Sequence, residues 1–164
     1  MKTLFTLLPP LLVMSLNTHE KQPTNKHFWY SMESSAAPDQ IWALWTDVST
    51  WKAWDSGLKD AYMDTPFTLA HKGTIISLEG RKSKFKVIEY QEGISYTIKT
   101  SLPLGSLRIK RYLSTSNGIT TFTHEVWFTG LTKGIFAKAF GAKFREMLPE
   151  VLENVKQLAE QASE

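Results

Sequence analysis

The sequence predicts an α+β fold: a curved antiparallel sheet of about six to seven strands wrapped around a long C-terminal helix, with two short helices after the first strand. Three observations predict it. From Lys133 to Gln161, Ile135, Phe136, Ala139, Phe140, Phe144, Met147, Leu148, Val151, Leu152, Val155, Leu158 and Ala159 recur at three- and four-residue steps, the period of one helix face. From Leu58 onward the apolar residues shift to alternation, broken at short intervals by turn residues, which marks an antiparallel meander. Asn117-Gly118 stands between two such runs and is the strongest short hairpin signal.

Along the chain, Lys2 and the apolar run Leu4–Leu16 precede polar Asn17 to Gln22. Residues 1–22 read as a signal-like segment, or as an extension ahead of a true start at Met14. The run is too short for a stable membrane span. If residues 1–16 are a signal peptide, the chain is exported, periplasmic or extracellular; otherwise it is cytoplasmic. Residues 23–26 read as a linker, and 27–162 as one domain.

Phe28, Tyr30 and Met32 alternate on a first strand. Pro38 then suits a first helical turn, with Asp39 favourable at its positive end. Ile41, Trp42, Leu44 and Trp45 follow at helical spacing, and Val48 to Trp54 form a second short piece ended by Gly57. Leu58 to Met63 is a short strand. Thr74, Ile76 and Leu78 alternate on the next, closing at Glu79-Gly80. Phe85 and Val87 alternate on another, which Glu92-Gly93 turns onto Ile94, Tyr96 and Ile98. Pro103 and Gly105 mark a break.

A two-residue loop at Asn117-Gly118 fixes a register. Leu113 then faces Phe122, Ile109 faces Val126 and Leu107 faces Phe128, all on one face. On the other face Lys110 meets Glu125 and Arg108 meets Trp127, both favourable cross-strand pairs. One pair is out of character: Arg111 falls opposite His124 on the apolar face. In the last helix Pro149 cannot donate to the carbonyl of Arg145, so a kink is expected near 145–149.

Ala37-Pro38-Asp39-Gln40-Ile41-Trp42, the segment Thr46-Asp47-Val48-Ser49-Thr50-Trp51-Lys52-Ala53-Trp54-Asp55, the strand Gly118 to Val126, and Met147-Leu148-Pro149 with Leu152 and Leu158 together resemble the SRPBCC superfamily. That superfamily has the helix-grip fold and includes START-like lipid-binding and polyketide cyclase/dehydrase-like proteins. The resemblance spans residues 27–162. It implies a cavity between sheet and helix that holds a hydrophobic or amphipathic molecule such as a lipid, isoprenoid or aromatic polyketide. The expected lining is Arg111, His124, Phe122, Val126, Ile109, Phe85, Val87 and Ile98 from the sheet, with Phe140, Phe144 and Met147 from the helix. Pro149 and the segment 130–134 are the expected hinges.

Arg111 beside His124 can hold a carboxylate, phosphate or enolate oxygen. Alternatively Arg111 reaches water at the cavity rim and His124 bonds to backbone, the arrangement the sequence favours. His124 is the candidate general base, with Glu79 or Glu89 as partner. Trp42, Trp45, Trp51 and Trp54 read as packing between the short helices and the sheet.

The sequence argues against several classes. There is no cysteine, hence no disulfide and no thiolate nucleophile. The four His are scattered, so no metal site is expected. No phosphate loop or G-x-S-x-G elbow occurs, and no cofactor is expected. A net charge of +3 is too weak a field to argue for nucleic acid. The basic run Arg81, Lys82, Lys84 and Lys86 reads as a solvated hairpin. Binding without catalysis is the favoured function. A cyclase/dehydrase-like or hydrolase-type enzyme and a protein-interaction module remain alternatives.

Overall fold

Alternation of apolar residues builds one seven-stranded antiparallel sheet in the order β1-β7-β6-β5-β4-β3-β2. The computed structural model describes residues 23–162. The signal-like segment 1–22 lies outside the described residues. Strand β1 (His27–Ser34) leads to helix α1 (Pro38–Thr46), a 3₁₀ turn (Val48–Thr50) and helix α2 (Trp51–Trp54). Strands β2 (Leu58–Tyr62), β3 (Lys72–Ser77), β4 (Lys82–Gln91), β5 (Ser95–Leu102), β6 (Gly105–Ser116) and β7 (Ile119–Gly130) follow. The chain ends in α3 (Lys133–Phe136), a π-helical turn (Ala137–Gly141) and α4 (Ala142–Gln161). The sheet curls into a half-barrel around this long helix, the helix-grip architecture expected from the sequence.

The β6–β7 hairpin has the predicted register: Leu113 opposite Phe122, Ile109 opposite Val126, Arg111 opposite His124. Asn117 and Gly118 both take left-handed φ, +52° and +78°, as a turn matched to strand twist requires. The short helices are also where the sequence placed them. The Gln40 side chain accepts from the Ala37 amide at 2.9 Å, and Asp47 Oδ1 accepts from the Ser49 amide at 3.1 Å. These bonds satisfy amides that helix starts leave open.

Four expectations change. Pro103 and Leu104 form a tight turn pairing Leu102 with Gly105, so the expected break is a hairpin. In β3 the inward face is Gly73 and Ile75; Thr74 and Ile76 face outward and Leu78 is 57% exposed. The reason is Phe85: a Cβ at Gly73 would stand 2.4 Å from its ring, so only glycine fits beneath it. In the last helix, α-type bonding lapses at 137–141 rather than near Pro149. Pro149 and Arg145 are both exposed, so the carbonyl left without a donor faces water. At the other place, Gly141 lies against the chain leading into β1, where a Cβ would be 2.1 Å from the Asn25 carbonyl oxygen. Ile135 and Ala139, read as part of the inner stripe, are exposed; Ala137 and Gly141 are buried instead.

The core forms two clusters. The larger joins α1, α2 and the C-terminal half of α4 to Phe85, Val87, Tyr96, Ile98, Leu113 and Phe122. The smaller joins Phe28, Val126 and Phe128 to Ala137, Leu148 and the stacked row Phe136, Phe140, Phe144. Ile109 touches both.

Candidate functional site

A cation on the apolar face of a strand requires compensation, because burying an unpaired charge is costly. Arg111 is 1% exposed, so it does not reach water at a rim, and that expectation is corrected. The physical reason is the cover above it. Helix α2 carries Trp51 and Trp54 over the strand. The guanidinium carbon lies 4.9 Å from the Trp51 ring centroid and 4.7 Å from that of Trp54. Both rings offer their negative faces to the charge.

The remaining contacts come from the neighbouring strand. Arg111 Nη1 donates to the Tyr96 hydroxyl at 2.5 Å, and that hydroxyl donates to the Trp45 carbonyl at 3.0 Å. Trp51 Nε1 donates to the same carbonyl at 3.1 Å. Arg111 Nε and Trp54 Nε1 are buried without a hydrogen-bond partner. No carboxylate among the described residues makes an ion pair with Arg111. Asp55, at the end of α2, is the acidic group whose field it feels. Burial raises the Asp55 carboxyl above its ordinary range; Arg111 and a 3.0 Å bond from the Gly57 amide oppose that. Burial also raises Tyr96, so its phenol stays protonated.

His124 lies beside Arg111 on β7 and is buried. Burial, reinforced by the Arg111 charge, holds its pKa well below the usual imidazole value of 6.5. A neutral imidazole and a permanent cation therefore stand side by side on the concave face. Neither carboxylate named as a partner for His124 is near it: Glu89 accepts from the Thr97 hydroxyl on the other face, and Glu79 sits in the β3–β4 turn with Arg81.

The other residues expected to line a cavity divide between the two clusters. Phe85, Val87, Ile98 and Phe122 pack in the larger one, with Met147 against it; Val126, Phe140 and Phe144 belong to the smaller. A cleft of about 330 Å³ opens between the 3₁₀ turn and the β2–β3 loop, bordered by Val48, Met63 and Phe67. Phe67 reaches inward from that loop, its ring 4.6 Å from Tyr96 and 6.2 Å from Trp51. It covers the aromatic box from the cleft side.

Tyr96, Asp55 and Phe67 were not singled out from the sequence. For Tyr96 a signal existed. Reading Pro103-Leu104 as a two-residue turn pairs Leu102 with Gly105, and the same register sets Tyr96 opposite Arg111. For Asp55 and Phe67 no periodic signal exists, since both sit in connections.

A family model described as polyketide cyclase / dehydrase and lipid transport matches residues 26–160. No curated protein matches the chain. Solved structures share the fold at low identity. A protein of Arthrobacter aurescens is 17% identical, with 82% of this chain and 86% of that one covered and a TM-score of 0.64. A Mesorhizobium loti protein, MLL2253, is 15% identical over 83% and 98%, with a TM-score of 0.66. DynU16, described as a putative protein in the dynemicin biosynthetic locus, is 14% identical over 85% of this chain and 49% of its own, with a TM-score of 0.65.

Proposed function

The chain belongs to the polyketide cyclase / dehydrase and lipid transport family, and from that membership we propose that it binds a small amphipathic molecule between the sheet and its long helix, an acidic oxygen of the ligand pairing with Arg111. The observation that carries this reading is the incomplete pairing of Arg111. Its guanidinium is buried, one of its N–H groups donates to Tyr96, and its Nε has no partner. An arginine presents five donors in a planar fork suited to a carboxylate or phosphate. A carboxylate, phosphate or ionised phenol brought to it satisfies donors that the fold leaves open. Aromatic and aliphatic side chains around the box suit a lipid chain or fused rings. The cleft beside Phe67 supplies the route, because displacing that ring uncovers Tyr96 and Trp51 without breaking a strand.

Native mass spectrometry of the gently purified full chain, before and after organic extraction, is the first test. A bound mass that disappears on extraction is expected, and a clean apo mass that takes up no added oleate overturns the reading. Oleate against methyl oleate then tests Arg111. The protein should prefer the acid by about tenfold or more, equivalent to about 1.4 kcal/mol. In Arg111→Met that preference should vanish while methyl oleate binding persists. An unchanged preference in the variant removes Arg111 from the site.

A further inference from the structure

The three most exposed large apolar side chains among the described residues and a row of cations lie toward one end of the sheet, the end bearing the Pro103-Leu104 turn. Leu104 is 72% exposed, Leu131 87% and Ile135 69%. Single exposed apolar residues are ordinary, but three on connected turns are not. The Leu131 amide donates to the Leu104 carbonyl at 2.9 Å, and the Thr132 hydroxyl donates to the Pro103 carbonyl at 2.5 Å. The Ile135 amide donates to the Thr132 carbonyl at 3.0 Å, so all three residues stand on one locked corner. Exposed Lys133 and Lys138 flank it.

The outer face of the sheet adds a cationic row at the same end. Lys72 pairs with Lys86, Lys86 with Lys99, Lys99 with Arg108, and Arg108 with Trp127, across five adjacent strands. Lys99 and Arg108 are three residues from the turn. Like charges placed directly opposite destabilise a sheet, so this row is kept against folding stability. None of Lys72, Lys84, Lys86, Lys99 and Arg108 makes an ion pair among the described residues, and Arg108 Nε is buried without a partner. A cleft of about 310 Å³ opens beside the row, with Lys72, Lys84, Thr74 and Tyr62 on its walls and Asp64 at one side. The opposite end of the molecule is different. Residues 30–41, 89–98 and 112–124 contain no Lys or Arg, and the first two stretches carry Glu33, Asp39, Glu89 and Glu92.

We propose that this end docks on a membrane surface containing anionic lipids, with Leu104, Leu131 and Ile135 entering the headgroup–acyl boundary and the Lys72–Lys86–Lys99–Arg108 row meeting lipid phosphates. Charge complementarity identifies an anionic partner, and the apolar corner selects a membrane over a nucleic acid. Phosphates on a nucleic acid satisfy the cations but offer no apolar phase for two leucines and an isoleucine, whereas an interface takes both. Trp127 at the end of the row is a side chain suited to headgroup depth. The docking surface is separate from the aromatic box around Arg111 and stands whether or not that box binds a ligand.

Vesicle co-sedimentation of the full chain tests it, comparing neutral phosphatidylcholine vesicles with vesicles containing phosphatidylglycerol. Binding to the anionic vesicles is expected to be roughly tenfold tighter or more, and to weaken as salt is raised. Two variants, Lys84→Gln/Lys99→Gln/Arg108→Gln and Leu104→Asn/Leu131→Ser/Ile135→Ser, should each lose most of that excess. Unchanged near-ultraviolet circular dichroism shows that they are folded. Any affinity contributed by residues 1–22 is common to all three proteins and cancels in the comparison. Equal binding to both vesicle types overturns the proposal, as does anionic binding unaffected by either variant. It is likewise overturned if a single-stranded oligonucleotide binds tighter than vesicles at the same salt and loses affinity in the cationic-row variant.

Discussion

Arg111 and His124 show what one cross-strand pair can and cannot reveal. Their adjacency follows from Asn117-Gly118 alone, because a two-residue turn fixes every pair behind it. Whether Arg111 ends in water or in the core is decided elsewhere, by two tryptophans about 60 residues earlier whose position over β6 no local pattern encodes. The same burial gives His124 a measurable signature. Its folded pKa lies well below 6.5, so the unfolded chain binds the proton first. Stability contributed by the neutral imidazole is therefore complete above about pH 6.5 and falls as pH drops below that value toward the folded pKa. The slope is at most about 1.4 kcal/mol per pH unit for one proton. Asp55, raised by burial, acts with opposite sign as pH falls through its folded pKa, and that contribution is common to the wild type and His124→Gln, so it cancels in their difference. Urea unfolding at pH 7.5 and pH 5.5 should show the wild type losing more stability at the lower pH than His124→Gln. An equal loss in both proteins would place the titration on another group.

At the scale of elements, the strands whose faces were read correctly are those with a large residue at every second inward position, as in Phe85-Val87 and Phe122-Val126. Strand β3 misleads because its inward face begins with a glycine, so Ile75 has no inward apolar partner at Gly73 while Thr74 and Ile76 alternate on the outward side. The long helix misleads for a related reason. Proline is the conspicuous breaker, yet Pro149 is exposed and its lost bond falls to solvent, while the irregular turn is set by a contact with another element. Gly141 is the residue that makes this contact, with no room for a Cβ against Asn25. Gly141→Ala should therefore destabilise the protein by about 1–3 kcal/mol, although alanine is the better helix former by about 1 kcal/mol. A gain in urea midpoint would mean that the π-helical turn is not set by the approach of residue 25.

At the scale of the molecule, fold and family were legible because they rest on element order and on one long amphipathic stripe, features that local substitutions barely affect. The interior was less legible, since periodicity tells which side chains point inward but not which of them meet. The lining set inferred from sequence is divided by the structure into two clusters joined at Ile109, and they are unequally buried. Phe122 is 0% exposed and packs against Trp45 at 6.0 Å, between the sheet and α1. Phe144 is only partly buried, stacked on Phe140 along the outer part of the helix. Truncating a fully buried phenylalanine costs about 3–5 kcal/mol, because the site keeps a cavity. Truncating a half-buried one loses mainly the transfer energy of the area it covers, on the order of 1 kcal/mol. Phe122→Ala should thus shift the urea midpoint several times further than Phe144→Ala. Equal shifts would mean that the space under the start of the long helix is packed as tightly as the space under α1.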